Sequence, residues 1–227
     1  MFYVMSDIHG CYDKYIRMIN KIELGEEDIL YILGDIVDRG PSGLKIALDI
    51  AKRKNFILLR GNHDQQAALL LSNLYLLRED DMAKKLAPIF GEWLSGCENL
   101  IIKEYLELNE RERKIVIKVI SNSLISKEVE VNGNKYLLAH TVPEIKKLNE
   151  YKEWNLDDYI MGEPDYDKMY FKDRIIITGH TPTFLIEQGS IGRIWKKNNH
   201  IAIDCGAVFG NPLGCLRLDD MKEFYVE

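Results

Sequence analysis

Short aliphatic runs that each end at a polar cluster constrain this 227-residue chain more than any other feature. Continuous apolar runs of this length are typical of strands that are buried on both faces of a sheet. Between the first three runs, helical stretches around residues 11–23 and 42–53 predict a βαβαβ beginning and a parallel sheet. The predicted strands are Phe2–Met5, Ile29–Leu33, Phe56–Leu59, Tyr136–Ala139, Ile175–Thr178 and Ile201–Ile203.

The middle of the chain, around residues 65–125, is mostly helical in its hydrophobic period. Helices are predicted at Gln65–Leu77, which carries a leucine-rich stripe, and around Glu110–Ser123. A β-hairpin follows, with Asn132-Gly133 as its tight turn. Because no repeat, low-complexity tract or linker interrupts the chain, we expect one domain over residues 1–227 with the helical segment as an insert.

Composition and charge exclude several classes of protein. The net charge of −6 argues against a broad basic surface for nucleic acid. No apolar run approaches the length of a membrane span, and Met1–Met5 is too short for a signal peptide. The cysteines form no CxxC pair and no zinc-ribbon spacing; they are Cys11, Cys97, Cys205 and Cys215. We therefore expect a cytoplasmic protein with neither a nucleic acid nor a membrane as its partner.

Four of the five histidines follow directly after a predicted strand, and only His200 lies outside this pattern. In open α/β sheets the ligand crevice lies at the carboxyl ends of the strands. A random scatter of histidines would not produce this placement, so we expect the four to converge on one site. They are His9, His63, His140 and His180.

The strand ends also supply the oxygen ligands of a metal site. Asp7 and His9 are one residue apart, so in extended geometry their side chains point the same way and can bind a single ion. The other strand ends add Asp35, Asn62, His140 and His180. This mixture suits Mn²⁺, Fe or Zn²⁺ better than Ca²⁺. Six donors exceed the needs of one small ion, whereas two ions about 3.5–4 Å apart with one bridging carboxylate would use them all.

As an ordered set, these motifs resemble the signature of the calcineurin-like metallophosphoesterases. The motifs are Asp7-x-His9, Gly34-Asp35-x-x-Asp38-Arg39-Gly40, Gly61-Asn62-His63-Asp64, His140 and Gly179-His180-Thr181-Pro182. The Asp38-Arg39-Gly40 extension is similar to the phosphoprotein-phosphatase branch, which includes bacterial and phage protein phosphatases and the symmetrical diadenosine tetraphosphate hydrolases. Pro182 stands where many phosphodiesterase relatives carry a second metal-binding histidine, which favours the same branch.

The resemblance implies a fold and a set of metal ligands. The fold is α/β, a four-layer sandwich in which two mixed β-sheets are flanked by helices. Asp7 and His9 would bind the first metal ion, and Asp35 would bridge both ions. The ligands of the second ion would be Asn62, His140 and His180.

The resemblance also implies the catalytic residues. His63 would be the general acid, Asp38 would orient it, and Arg39 would bind phosphate oxygens. We therefore expect an enzyme that cleaves phosphomonoesters by direct attack of a metal-bridging hydroxide. Phosphorylated Ser or Thr on a protein is the first expectation for its substrate, and Mn²⁺ is favoured as the metal. The alternatives are a dinucleoside polyphosphate hydrolase and a catalytically weak binding or regulatory module that retains its metals.

One departure from the family pattern concerns phosphate binding. Phosphatases of this branch usually carry a second arginine between the two late histidines, but residues 141–173 contain none. Glu163 stands close to its expected position, where a carboxylate would repel phosphate and modify the pocket. Arg174, Lys168 and Lys172 are the alternative cations, and the side chain of Arg174 is expected to point away.

Several neighbouring residues receive structural interpretations. Asp64 is interpreted as a carboxylate in the first turn of a helix, and Arg60 as part of a structural salt bridge. The segment Asp204-Cys205-Gly206 either lines the metal site from outside or forms a turn. Packing is the expected role of the tryptophans, which are Trp93, Trp154 and Trp195.

Overall fold

The computed structural model describes residues 1–76 and 99–227. Trp93 and Cys97, and with them the centre of the predicted helical insert, lie outside the described residues. Within the two described ranges, none of the helices combines the length and hydrophobicity that crossing a lipid bilayer requires.

Two five-stranded mixed sheets form the centre of the described part of the chain, as the resemblance implies. The first sheet has the order β10-β9-β1-β2-β3 and the second the order β4-β5-β6-β8-β7. Strands β1, β2 and β3 are parallel, which confirms the predicted parallel beginning. The strands are β1 (Phe2–Met5), β2 (Ile29–Ile32), β3 (Phe56–Leu58), β4 (Ser126–Val131), β5 (Asn134–Ala139), β6 (Ile175–Thr178), β7 (Trp195–Lys197), β8 (His200–Ala202), β9 (Leu213–Arg217) and β10 (Glu223–Val226).

Helices cover the outer faces of the sheets. The helices are α1 (Tyr12–Ile22), α2 (Gly43–Ile50), α3 (Asn62–Leu76), α4 (Asn99–Glu107), α5 (Glu110–Ser121), α6 (Leu156–Ile160) and α7 (Thr183–Ile186). Helix α3 begins three residues before the predicted Gln65, so Asn62 and His63 lie in its first turn. Helix α5 begins with a capping box between Asn109 and Glu112, which satisfies backbone N–H groups at its start.

Three apolar cores separate the four layers. Strand β1 shows why, because successive side chains of a strand point to opposite faces of its sheet. Tyr3 and Met5 pack against helices in the first core, whereas Val4 packs between the two sheets in the second. Strand β5 repeats the pattern, with Leu138 between the sheets and Leu137 in the third core on the far side. The four-layer sandwich is thus confirmed.

Three strands were not predicted from the sequence, and a fourth was predicted one residue away from its observed position. Strands β7, β9 and β10 were not predicted, because their charged and small residues interrupt the aliphatic pattern. Strand β8 begins at His200, one residue before the predicted Ile201. The hairpin is confirmed, and its turn residues Asn132 and Gly133 both adopt positive φ angles, 51° and 80°.

Candidate active site

The predicted site residues lie at the carboxyl ends of parallel strands from both sheets. The loop after β1 carries Asp7 and His9, the loop after β2 carries Asp35, and α3 follows β3 with Asn62. His140 and His180 follow β5 and β6 in the second sheet. The carboxyl ends of these strands face one crevice, so residues that are distant in the chain lie close together there. The His180 backbone N–H, for example, donates to the Asp7 carboxylate, 173 positions away.

Left-handed backbone turns aim these side chains into the crevice. Six candidate residues have φ angles between 43° and 67°, a region that few residues other than glycine adopt; they are Asp7, His9, Asp35, Asp38, Arg39 and His180. Such conformations cost on the order of 1 kcal/mol or more each and cluster at functional sites. The extended geometry expected for Asp7 and His9 was therefore wrong. The two side chains converge through turns that begin directly after β1.

One carboxylate oxygen joins two groups of donor atoms. Oδ2 of Asp35 lies 3.6 Å from Nε2 of His9 and 3.5 Å from Nε2 of His140. The other oxygen, Oδ1, accepts the backbone N–H of His63 at 3.0 Å, which fixes the carboxylate. Oδ1 of Asp7 lies 3.9 Å from Nε2 of His9 on the first side. The Asp35 carboxylate thus lies between the two groups of donor atoms.

The second group is a triangle of atoms that face each other. Nε2 of His140, Nδ1 of His180 and Oδ1 of Asn62 are 3.0–3.1 Å apart. Nδ1 of His140 donates to the Leu33 carbonyl at 2.7 Å, so its Nε2 carries a lone pair toward the Asn62 oxygen. Two acceptors at this separation repel each other unless a cation lies between them.

The donor set fits metal ions in three further respects. Oδ1 of Asp7 is buried and has no hydrogen-bond partner within the described residues. Nδ1 of His9 donates to the Val37 carbonyl at 2.9 Å, which leaves its Nε2 available as a ligand. Burial lowers the pKa of His9 and of His180 to about 4, so both imidazoles are neutral near pH 7 and can ligate.

The buried carboxyl groups of the crevice lie close enough together to repel each other when ionised. Burial, followed by the charges of Asp204 and Asp35, raises the pKa of Asp7 well above its usual range. Burial also acts to raise the pKa of Asp35, but its interactions with the surrounding histidines, His140 first, outweigh burial and lower the pKa to about 2. Cations in the crevice would offset this charge, as in other sites that combine Asp and His ligands.

His63, Asp38 and Arg39 form a hydrogen-bonded chain at the mouth of the crevice. Nδ1 of His63 donates to Oδ2 of Asp38 at 2.8 Å. Burial lowers the pKa of His63, but this hydrogen bond and the charge of Asp35 outweigh it, so the pKa is raised overall. The Arg39 guanidinium donates to Nε2 of His63 at 3.2 Å and to Nε2 of His9 at 3.0 Å. A cation on His9 Nε2 would exclude the latter bond, because the atom has one lone pair.

Two polar neighbours do more than the sequence indicated. The carboxylate of Asp64 accepts the backbone N–H groups of Asp35, Ile36 and Gly61, so it fixes the loop that carries the Asp35 side chain. Asp64 is the third residue of α3, where a side chain can turn back toward the residues before the helix. This position is the sequence signal that could have indicated its contacts with backbone N–H groups. The Ser6 hydroxyl, which was not singled out, donates to the Asp7 carboxylate.

The alternatives left open for Asp204 turn out to be compatible. Asp204 is buried and its charge acts on Asp7, so it lines the site from outside the donor groups. Its Oδ1 also accepts the backbone N–H of Gly206 at 2.9 Å, which closes a turn. Burial raises the pKa of Asp204 to about 7.

One of the cations considered as a substitute for the missing arginine is engaged elsewhere. Arg174 pairs with Glu128 and Asp173, which confirms that it points away from the site. Lys172 lines a cavity beside the β4–β5 hairpin. Glu163 is exposed on the wall of another cavity, of about 340 Å³, and its role as a pocket modifier stays a prediction.

The structural interpretations hold with one change. Arg60 donates to the Ser123 hydroxyl at 2.7 Å and to the Gln65 side chain at 2.8 Å, so it makes neutral hydrogen bonds instead of the expected salt bridge. His200 begins β8, is buried against Tyr166 and takes no part in the donor groups. Trp154 and Trp195 are buried packing residues.

Comparisons with known proteins agree with this geometry. The family model described as calcineurin-like phosphoesterase matches residues 1–209. One relative, the asymmetrical bis(5'-nucleosyl)-tetraphosphatase PrpE of Anoxybacillus flavithermus, is 25% identical over 96% of this chain and 91% of its own length.

Solved structures agree on the fold. A protein assigned as a diadenosine tetraphosphatase has a TM-score of 0.67 at 15% identity, over 99% of this chain and 92% of its own. A serine/threonine phosphatase from Saccharomyces cerevisiae with similarity to human phosphatase PP5 has a TM-score of 0.61 at 16% identity, over 99% and 78%. At these identities the likeness concerns the fold alone, and the fold serves both kinds of substrate.

Proposed function

This chain belongs to the calcineurin-like phosphoesterases, a family of hydrolases, and from that premise we propose that it cleaves the phosphate chain of a dinucleoside polyphosphate. The observation that carries the proposal is the similarity to a bis(5'-nucleosyl)-tetraphosphatase over nearly the full length of both chains. The phosphoprotein expectation thus gives way to the alternative.

We propose that the two donor groups hold two metal ions, with Mn²⁺ favoured and Fe or Zn²⁺ as the other candidates. Asp7 and His9 are the proposed ligands of one ion, and Asp35 bridges. The proposed ligands of the other are Asn62, His140 and His180. When bound, two such ions activate water as a nucleophile and offset the charge of the phosphoryl oxygens.

The protein's own groups would position the substrate and move a proton. The guanidinium of Arg39 lies at the mouth of the crevice, where its planar donors suit the non-bridging oxygens of a phosphate. His63 would protonate the oxygen of the leaving nucleotide from Nε2. Asp38 would fix the ring through Nδ1 and stabilise its charged form, in which His63 can donate.

The proposed substrate class can be tested by competition between two kinds of phosphoester. Protein loaded with Mn²⁺ is expected to hydrolyse diadenosine tetraphosphate with a kcat/KM at least about ten-fold above that for a phosphoserine peptide, a difference of about 1.4 kcal/mol. Chromatography of the products measures the reaction and also locates the cleavage, because ATP with AMP and two ADP are distinct outcomes.

The Asp35→Asn variant, purified in parallel, serves as the control for contaminating phosphatases. A preference for the phosphopeptide would contradict the proposal and restore the phosphoprotein expectation. Metal-loaded protein that hydrolyses neither compound would also contradict it, in favour of a binding or regulatory role.

A further inference from the structure

An exposed aromatic ring lies beside the proposed phosphate-binding arginine. Phe209 keeps 55% of its surface open to solvent although it is a large apolar side chain. Its ring centre is 5.4 Å from Cζ of Arg39, so the guanidinium lies over the ring. Arg39 also donates to Nε2 of His63, so the same guanidinium lies beside both the exposed ring and the mouth of the crevice.

The turn that carries Phe209 is held by two hydrogen bonds from helix α1. It spans residues 206–211 between β8 and β9, with Gly206 and Gly210 at φ angles of 80° and 89°. Nζ of Lys14 on α1 donates to the carbonyl oxygens of Ala207 at 3.0 Å and Asn211 at 2.6 Å, so it ties both ends of the turn together. The turn therefore presents the ring from a fixed backbone.

A second aromatic ring, on the helix that follows β6, packs against the first. Phe184 on α7 packs edge-to-face against Phe209 with the ring centroids 6.0 Å apart. A Cβ atom at Gly206 would come within 2.9 Å of the Phe184 ring, which shows how closely the turn packs on it. Because α7 follows three residues after His180, the support is anchored to the donor groups as well. Phe209 is therefore exposed although its side chain is packed in place by Phe184.

We propose that Phe209 is a stacking platform for the nucleobase attached to the phosphate chain that Arg39 binds. The inference rests on the proposed function, because an inorganic phosphate or a phosphoserine has no flat aromatic group to place there. Stacking on an aromatic side chain accepts every base, since each base has a π-face. The platform therefore favours nucleotides over other phosphates without selecting one base.

The test compares nucleotide binding with phosphate binding in protein loaded with Mn²⁺. Isothermal titration calorimetry with ADP and with inorganic phosphate is applied to the wild type, Phe209→Ala and Phe209→Tyr. Phe209→Ala is expected to weaken ADP binding at least about five-fold and to change phosphate binding by less than about two-fold. Phe209→Tyr keeps a flat ring and is expected to restore ADP binding. Leu185→Ala, which removes another exposed apolar side chain, is the matched control and is expected to change neither affinity.

Equal weakening of ADP and phosphate by Phe209→Ala would overturn the inference, because the ring would then act only through Arg39. Unchanged ADP binding would overturn it too. Hydrolysis of diadenosine tetraphosphate is measured alongside, so the two proposals fail separately. If the wild type does not hydrolyse diadenosine tetraphosphate but Phe209→Ala selectively weakens ADP binding, the platform stands and the proposed function fails. If the wild type hydrolyses diadenosine tetraphosphate and Phe209→Ala does not raise the KM, the proposed function stands and the platform fails.

Discussion

Asp35→Asn is expected to lower kcat/KM for diadenosine tetraphosphate by about a thousand-fold or more, a loss of at least about 4 kcal/mol in transition-state stabilisation. The Oδ2 atom of Asp35 lies 3.5–3.6 Å from the Nε2 atoms of His9 and His140, and among residues 1–76 and 99–227 it is the oxygen common to both donor groups. The amide removes a negative charge that both ions would share. Steady-state kinetics with Mn²⁺ present measure the effect.

Asp28→Asn provides the control for loss of a buried carboxylate. Asp28 is buried at the opposite end of β2, where it accepts the N-terminal ammonium and the Gly25 N–H. Its replacement is expected to leave kcat/KM unchanged even where it lowers the unfolding temperature. Asp35→Asn with near wild-type kcat/KM would contradict the bridging role.

His63→Asn is expected to lower kcat by about 10²–10⁴-fold while the bound metal is retained, because general acid catalysis contributes on this scale. His63 is the residue whose role the geometry leaves most open, since it lies close enough to His9 and Asp35 to count as a ligand of the first group. Its Nδ1 donates to Asp38, which leaves Nε2 available either as a ligand or as a proton donor. Kinetics and metal analysis of the same preparation separate the two roles.

Substrates with different leaving groups separate the two roles of His63 further. A general acid matters more for a substrate that releases a strongly basic alkoxide than for p-nitrophenyl phosphate, so the loss in His63→Asn is expected to be larger for a phosphoserine compound. His200→Asn, a change at a buried histidine outside the donor groups, is the control. Metal loss together with an equal rate loss on both substrates would make His63 a ligand instead.

The sequence was sufficient to predict the parallel beginning and the convergence of the metal-binding candidates. Aliphatic runs that end at His9, Asp35, Asn62, His140 and His180 determine both, since burial on two faces requires such runs and a shared sheet edge gathers their ends. The two-sheet arrangement came from the resemblance. No local pattern could have supplied it, because it depends on packing between residues that are distant in the chain.

The local details of the site were not predictable in the same way. Asp7 and His9 converge through left-handed turns that are stable only because neighbouring loops hold them, as in the hydrogen bond of 2.9 Å from the His9 N–H to the Asp35 carbonyl. The contacts of Asp64 with three backbone N–H groups and the position of Phe209 over Arg39 likewise depend on tertiary packing. The single domain, the cytoplasmic location and the role of Glu163 stay predictions.

The metal content of the purified protein after loading with Mn²⁺ and removal of free ions tests the central claim most directly, because the claim concerns two donor groups joined by Asp35. Plasma mass spectrometry against a protein concentration from amino-acid analysis gives the stoichiometry. We expect about two ions per wild-type chain and one or none in Asp35→Asn. A wild-type chain that saturates at one ion, or an Asp35→Asn chain that still retains two, would contradict the shared two-metal centre.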